Sequence, residues 1–185
     1  MTKYVDSAEE AVSTIEGGQN IWVHSMAASP VLLLQALAKR ASELTGLTVM
    51  QMHLEHAEAL ADPALYGRLR NRVFFASAST RELINNGMAD YVPVFLSEIP
   101  RLFRQGLQPV DVALVQVSPP DRHGFCSLGV SVEVTLAVCE VAKRIIAHIN
   151  PNMPRSHGDS YLALSDIDVA FEQAADIIEP AQDPP

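Results

Sequence analysis

Three loops carry side chains whose types and spacing suit chemistry at a carbonyl or an anion. The first is His24-Ser25-Met26-Ala27-Ala28-Ser29-Pro30. It follows strand-type residues and precedes a helix for which Ser29 is the expected N-cap and Pro30 the first residue. Small residues there let backbone N–H groups face a phosphate, a carboxylate or a thioester carbonyl. Ser25, Met26 and Ala27 are the candidate contacts. The turn has no glycine, so it is neither a dinucleotide fingerprint nor a Walker A loop. An ordinary tight βα turn reads the same way.

The second loop follows the apolar run Val110 to Val117, which stops at Pro119-Pro120. Two prolines force an extended entry and remove two donors. Asp121 suits an Asx turn. Gly124 and Gly129 permit positive φ or close approach of a ligand. Ser127 and Ser131 offer hydroxyls. A long crossover loop without chemistry is the alternative. The third loop, Asn150 to Asp159, holds Arg155, a guanidinium suited to clamping a carboxylate or phosphate. Its alternative is a surface loop stiffened by Pro151 and Pro154.

Other candidates are weaker. His53-Leu54-Glu55-His56 lacks the i, i+4 histidine spacing of a zinc helix, and no cysteine lies near. No metal site is expected. Of the single histidines, only His123 and His157 fall in loops expected to face a site. Glu98 is explained by the dipole of a helix's first turn, and Glu133 is read as a supporting or surface residue. No glutamate stands in a glycine-flanked loop, and no G-x-S-x-G elbow is present.

Strand and helix signals alternate around these loops. Ser7-Ala8-Glu9-Glu10 reads as a capping box whose helix ends at Gly17-Gly18. Strands are expected at Ile21 to His24, Leu47 to Met52, Val73 to Ala76, Tyr91 to Phe95, Val110 to Val117 and Arg144 to Ile149. Tyr161 to Leu164 and Ile167 to Phe171 read as extended. Helices are expected through Leu32 to Leu44, after a box at Ser79-Thr80-Arg81-Glu82, after Ser97, and over Thr135 to Lys143. Leu54 to Asn71 reads as broken alanine-rich helical pieces. Alternation of this kind predicts an α/β fold, an open and mostly parallel sheet with helices on both faces.

The chain has 185 residues, 48% of them hydrophobic, which suits a single domain with a large core. A formal net charge of −9 argues against nucleic acid as a partner. Arg68, Arg70 and Arg72 form the one basic concentration and read as a solvated surface. No membrane-spanning run or secretory leader is evident, and the two cysteines, Cys126 and Cys139, read as reduced thiols. A cytoplasmic protein is expected. From Glu179 the composition becomes proline-rich, so the domain is placed at residues 1–178 and the start of an interdomain linker at 179–185.

Three long segments carry a resemblance. Ala89 to Phe103, Val110 to Thr135 and Asn150 to Asp159 resemble the N-terminal domain of the acetyl-CoA hydrolase/transferase family, in order and over nearly the whole chain. The turn at His24 to Pro30 is similar to that family's small-residue turn, with Ser25 and Met26 where glycine or alanine is common. The resemblance implies the CoA-transferase (NagB/RpiA-like) type of open α/β fold. It implies coenzyme A and acyl-CoA as substrates, with a small carboxylic acid and no permanently bound cofactor. The nucleophilic glutamate is expected in a second domain, in cis or in trans. This chain would then line one wall of the substrate cleft with Ser25, Met26, Ala27, Pro119, Pro120, Asp121, Gly124, Ser127, Gly129, Ser131 and Arg155. A homo-oligomer is expected. Acyl-CoA hydrolysis, or a non-catalytic ligand-binding or assembly module, are the alternative roles. A sugar-phosphate enzyme of similar topology would need a basic clamp that the sequence lacks.

Overall fold

In the computed structural model, which describes residues 1–56 and 58–179 (backbone only at 78 and 79), eight strands form one parallel sheet. In chain order the strands are β1 (Lys3–Tyr4), β2 (Asn20–Val23), β3 (Leu47–Gln51), β4 (Leu69–Val73), β5 (Ala89–Tyr91), β6 (Val112–Val117), β7 (Phe125–Ser127), β8 (Arg144–Ile149), β9 (Tyr161–Ala163) and β10 (Val169–Glu172). The spatial order is β1-β10-β8-β6-β2-β3-β4-β5, and β7 pairs separately with β9 as an antiparallel ribbon. The helices are α1 (Ala8–Val12), α2 (Val31–Ala41), α3 (Ala78–Asn85), α4 (Ile99–Arg104) and α5 (Thr135–Cys139).

The central strands are apolar on both faces because helices cover both. Every residue of β6 is buried. Its side chains alternate between two cores: Val112 and Leu114 join α1 and α2, while Ala113 and Val115 join α4 and α5. β2 alternates in the same way, sending Ile21 and Val23 to the first core and Trp22 to the second. The Trp22 ring meets Phe103 edge-on at 5.1 Å, and its indole N–H donates to Thr135 Oγ1 at 3.0 Å. No helix among the described residues is long and apolar enough to cross a membrane.

Several expected elements shift. Ser29 does not cap α2. Its hydroxyl donates to the Met26 carbonyl at 2.7 Å and accepts from the Glu55 N–H at 3.2 Å, and Pro30 occupies the cap position. The strand expected at Val73 to Ala76 lies earlier, at β4. There Leu69, Asn71 and Val73 point inward, and Arg70 reaches across to Asp90 of β5 at 2.9 and 2.5 Å. Of the arginines that read as a solvated surface, Arg70 and Arg72 stand on this strand and Arg68 precedes it. Between β3 and β4 the chain forms two 3₁₀ turns, Glu58–Leu60 and Pro63–Leu65. The strand expected at Tyr91 to Phe95 ends at Tyr91, two residues before Pro93, which has no N–H for a ladder. α3 begins at Ala78 behind an N-cap at Ser77, two residues upstream of the expected box, and α5 ends at Cys139. β1 and β7 gave no signal. Both cysteines are free and buried, and the proposed linker beyond Glu179 lies outside the described residues.

Candidate functional site

The sheet changes direction between β2 and β6. From β2 the chain proceeds outward through β3, β4 and β5, whereas β6 leads to β8 on the other side. In an open parallel sheet, a crevice forms outside the carboxyl ends of the two strands that flank such a switch point. The turn after β2 and the long loop after β6 both emerge there.

The turn after β2 is locked by its backbone. His24 N–H continues the ladder to Leu114 O at 3.0 Å, and Met26 N–H reaches over to His53 O at 2.7 Å. Met26 has φ 57°, a left-handed conformation that side chains other than glycine rarely adopt. Such strain persists where neighbours over-determine it, and it concentrates at functional sites. Ser25 is fully buried, and its hydroxyl has no partner among the described residues. The N–H of Ala27 also meets no acceptor among them.

The segment Ser131 to Thr135 closes over this turn. His24 ties the two together. Its Nδ1 accepts from the Gln116 N–H at 3.3 Å, so Nε2 carries the proton and donates to the Ser131 carbonyl at 2.5 Å. Burial holds this imidazole neutral, pushing its pKa down to about 4. Glu133 is the second tie. It too is left-handed, with φ 30°. Its carboxylate accepts from the Thr135 hydroxyl at 2.9 Å, from the Val134 and Thr135 N–H groups, and from the Ser25 N–H. Burial of the carboxyl raises its pKa above the ordinary glutamate range, although these hydrogen bonds oppose the shift. Two strained residues thus stand on the two segments that meet at the switch point.

The loop from Pro119 to Gly129 is a separate assembly that satisfies itself. Asp121 Oδ1 accepts from the His123 and Phe125 N–H groups at 2.8 and 3.0 Å, forming the expected Asx turn. Ser127 Oγ accepts from Gly129 N–H and Ser156 N–H, both at 3.1 Å. Arg155 does not reach outward. Its Nη1 donates to Ser118 Oγ and Pro119 O at 3.0 Å and to Phe125 O at 3.1 Å, and its Nη2 donates to Asp121 at 3.2 Å. Its guanidinium also lies 5.5 Å from the Tyr161 ring centre. Gly129 is required by contact: at φ 69°, a Cβ would lie 2.1 Å from the Met153 sulfur. Gly124, at φ 82°, faces open space, so only its conformation requires glycine. Pro119 and Pro120 are half-buried at the exit of β6.

The structure therefore joins Ser25, Met26, Ala27 and Ser131 directly across the switch point. It groups Pro119, Pro120, Asp121, Gly124, Ser127, Gly129 and Arg155 into a neighbouring scaffold. His123 and His157, both exposed, bond Arg122 and Tyr161. His53 bonds Glu55 at 3.0 Å. Sequence reasoning passed over His24, and it read Glu133 as a supporting or surface residue without its bond to Ser25. It also missed an apolar cavity of about 560 Å³ that opens beside Met26, along the carboxyl ends of β3, β4 and β5. Phe75 and Phe95 gave no signal because the sequence reading placed both in strands, whereas the structure exposes them, with Leu96, at the cavity.

A doubly wound parallel sheet with small-residue turns at its switch point places the chain among open α/β proteins, a class whose ligands bind outside the carboxyl ends of the strands. The chain belongs to the acetyl-CoA hydrolase/transferase family: it matches that family's N-terminal domain over residues 1–179. It is 39% identical over 173 residues to the 4-hydroxybutyrate coenzyme A transferase of Clostridium kluyveri, covering 94% of this chain and 40% of that protein. It is 37% identical to the succinyl-CoA:acetate/propanoyl-CoA:succinate CoA transferase of Fasciola hepatica, covering 90% of this chain and 35% of that protein. The crystal structure of RipA from Yersinia pestis superposes with a TM-score of 0.88 at 30% identity, over 98% of this chain and 45% of that one. The chain thus spans less than half the length of these relatives.

Proposed function

We propose that this chain forms one wall of the active-site cleft of a CoA-transferase, which moves CoA from an acyl-CoA thioester to a small carboxylic acid. The nucleophile is a glutamate in a second domain, supplied in cis or in trans. Its carboxylate attacks the thioester carbonyl, the C–S bond breaks and CoA thiolate leaves, giving an acyl–glutamyl anhydride. The thiolate then attacks the glutamyl carbonyl, expels the acyl carboxylate and leaves a glutamyl-CoA thioester. The acceptor acid reverses the two steps, so charge and atoms balance without a redox partner.

In this scheme the chain's own residues stabilise and shield. The Ala27 N–H and the buried Ser25 hydroxyl, neither with a partner among the described residues, are donors fixed near the carbonyl oxygen as it becomes an oxyanion. His24 and Glu133 hold the two turns in register, so these donors need no reorganisation during reaction. The single observation that carries the reading is the pair of strained residues, Met26 and Glu133, on the two segments that meet at the switch point. Membership in a family whose curated relatives are named CoA-transferases supports it.

The test is thioester exchange from acetyl-CoA to butyrate or succinate. The isolated chain is expected to give none, and addition of the second domain is expected to give turnover. Exchange by the isolated chain, or a covalent CoA adduct on any of its side chains, would refute the placement of the nucleophile.

A further inference from the structure

We infer that the cavity beside Met26 is the acyl pocket and that it selects an apolar acyl group, linear or cyclic, over a short or charged one. The inference rests on the CoA-transferase reading and names the substrate class of that same cleft.

The first argument is position. Met26 belongs both to the strained turn at the switch point and to the cavity wall. A thioester carbonyl held against the Ser25–Ala27 turn has its acyl chain beginning within reach of the Met26 side chain. The nearest space for that chain runs along the carboxyl ends of β3 to β5, where the cavity lies.

The second argument is size and composition. At about 560 Å³ the cavity falls within the range of small-molecule sites and exceeds what an acetyl group fills. Met52, Phe74, Phe75, Val94 and Phe95 supply much of its wall. Methionines adapt to irregular ligands, and aromatic faces suit both rings and extended chains.

The third argument is charge. Among the described residues no Lys or Arg lines the cavity. Its polar members are His53 and Tyr91. His53 is already engaged with Glu55 at 3.0 Å, and its ring lies 6.2 Å from Phe75. A distal carboxylate such as that of a succinyl group would enter a cavity with no Lys or Arg in its described lining and with His53 already bonded to a carboxylate. Burying an unpaired charge is far more costly than burying methylenes. The cavity therefore discriminates against dicarboxylic acyl groups by desolvation, and against acetyl by leaving apolar surface unfilled.

Phe75, Phe95 and Leu96 are 57%, 77% and 63% exposed, so the wall can be altered without disturbing a core. The experiment measures kcat/KM for acetyl-, hexanoyl-, cyclohexanecarbonyl- and succinyl-CoA, using this chain together with the second domain. Hexanoyl- or cyclohexanecarbonyl-CoA is expected to exceed succinyl-CoA by about 100-fold or more, and acetyl-CoA by about tenfold. Phe75→Ala is expected to lower the hexanoyl-to-acetyl ratio by about tenfold. Leu96→Arg, which brings a cation to the rim, is expected to raise the succinyl-to-hexanoyl ratio. Turnover that favours succinyl- or acetyl-CoA, or ratios that both variants leave unmoved, overturns the pocket assignment while the CoA-transferase reading stands. Exchange from none of the four donors overturns the reading and the pocket together.

Discussion

His24 shows how one buried side chain ties a site to folding. Its neutral ring accepts from Gln116 and donates to Ser131, and protonation would turn Nδ1–H against the Gln116 N–H. In the unfolded chain a histidine titrates near its ordinary value, about 6.5. In the folded chain burial lowers the pKa to about 4. Between these values the unfolded state binds a proton that the folded state refuses, so stability falls as pH drops through this window. Above it the contribution is constant. The full effect is on the order of 3 kcal/mol. His148 shifts in the same direction, also by burial, so the effect of His24 must be isolated by difference. Urea unfolding of the wild type and of His24→Gln should show a stability gap that narrows by about 2 kcal/mol between pH 7 and about pH 4.5. A gap independent of pH would mean that His24 is not held neutral. The place of Ser25 and Ala27 in a turn between a strand and a helix was legible, because small residues and a proline mark such a junction. His24 was not, because nothing in a sequence says whether a histidine at a strand end faces a loop or lies sealed beneath one. Glu133 was read as a supporting or surface residue, and the structure gives it a supporting place; its left-handed backbone and its bond to Ser25 were not legible, because positive φ is ordinarily read from glycine.

At the scale of elements, legibility followed burial. β6 and β8 were read nearly to their ends because both are almost wholly buried and their apolar runs are continuous. β4 was displaced because its outward residues are arginines, so that half of the strand imitates a solvated surface. β7 was invisible because three residues of ribbon carry little pattern, and the loop around it is built by side chains rather than by propensity. Arg155 is the centre of that construction. It bonds Ser118, Pro119, Asp121 and Phe125, which pins the exit of β6 to the start of β7. Its expected role as an external anion clamp gives way, on this geometry, to an internal one. Lysine retains the charge but has no planar fork to serve several acceptors at once. Arg155→Lys should therefore destabilise the chain by about 1–2 kcal/mol. It should also speed amide exchange at Phe125, Cys126 and Ser127, with little change in β8. Exchange in the ribbon that matched the wild type would show that the loop holds without its guanidinium.

For the whole molecule, charge is the property that bears most directly on a CoA ester. The chain carries a formal net charge of −9. Many of its cations are already committed: Arg70 to Asp90, Arg104 to Glu140, Lys143 to Asp111 and Arg155 to Asp121. A CoA thioester brings several phosphate charges of the same sign as the chain, whereas its pantetheine arm is neutral. If this domain contributes only the acyl pocket and the oxyanion donors, the nucleotide gains nothing from it and is repelled by its field. The isolated chain should then bind S-hexanoylpantetheine at least as tightly as hexanoyl-CoA at low ionic strength. Raising the salt from about 0.01 M to about 0.1 M shortens the Debye length from roughly 30 Å to roughly 10 Å and screens that repulsion. Affinity for hexanoyl-CoA should therefore rise a few-fold with salt, while affinity for the pantetheine ester stays level. Ligand-observed NMR or calorimetry on the two esters at the two ionic strengths reads the sign directly. Binding of hexanoyl-CoA that weakens with salt would require a cationic cradle on this chain. The nucleotide would then be shared between domains, and its phosphates could no longer be assigned wholly to the second one.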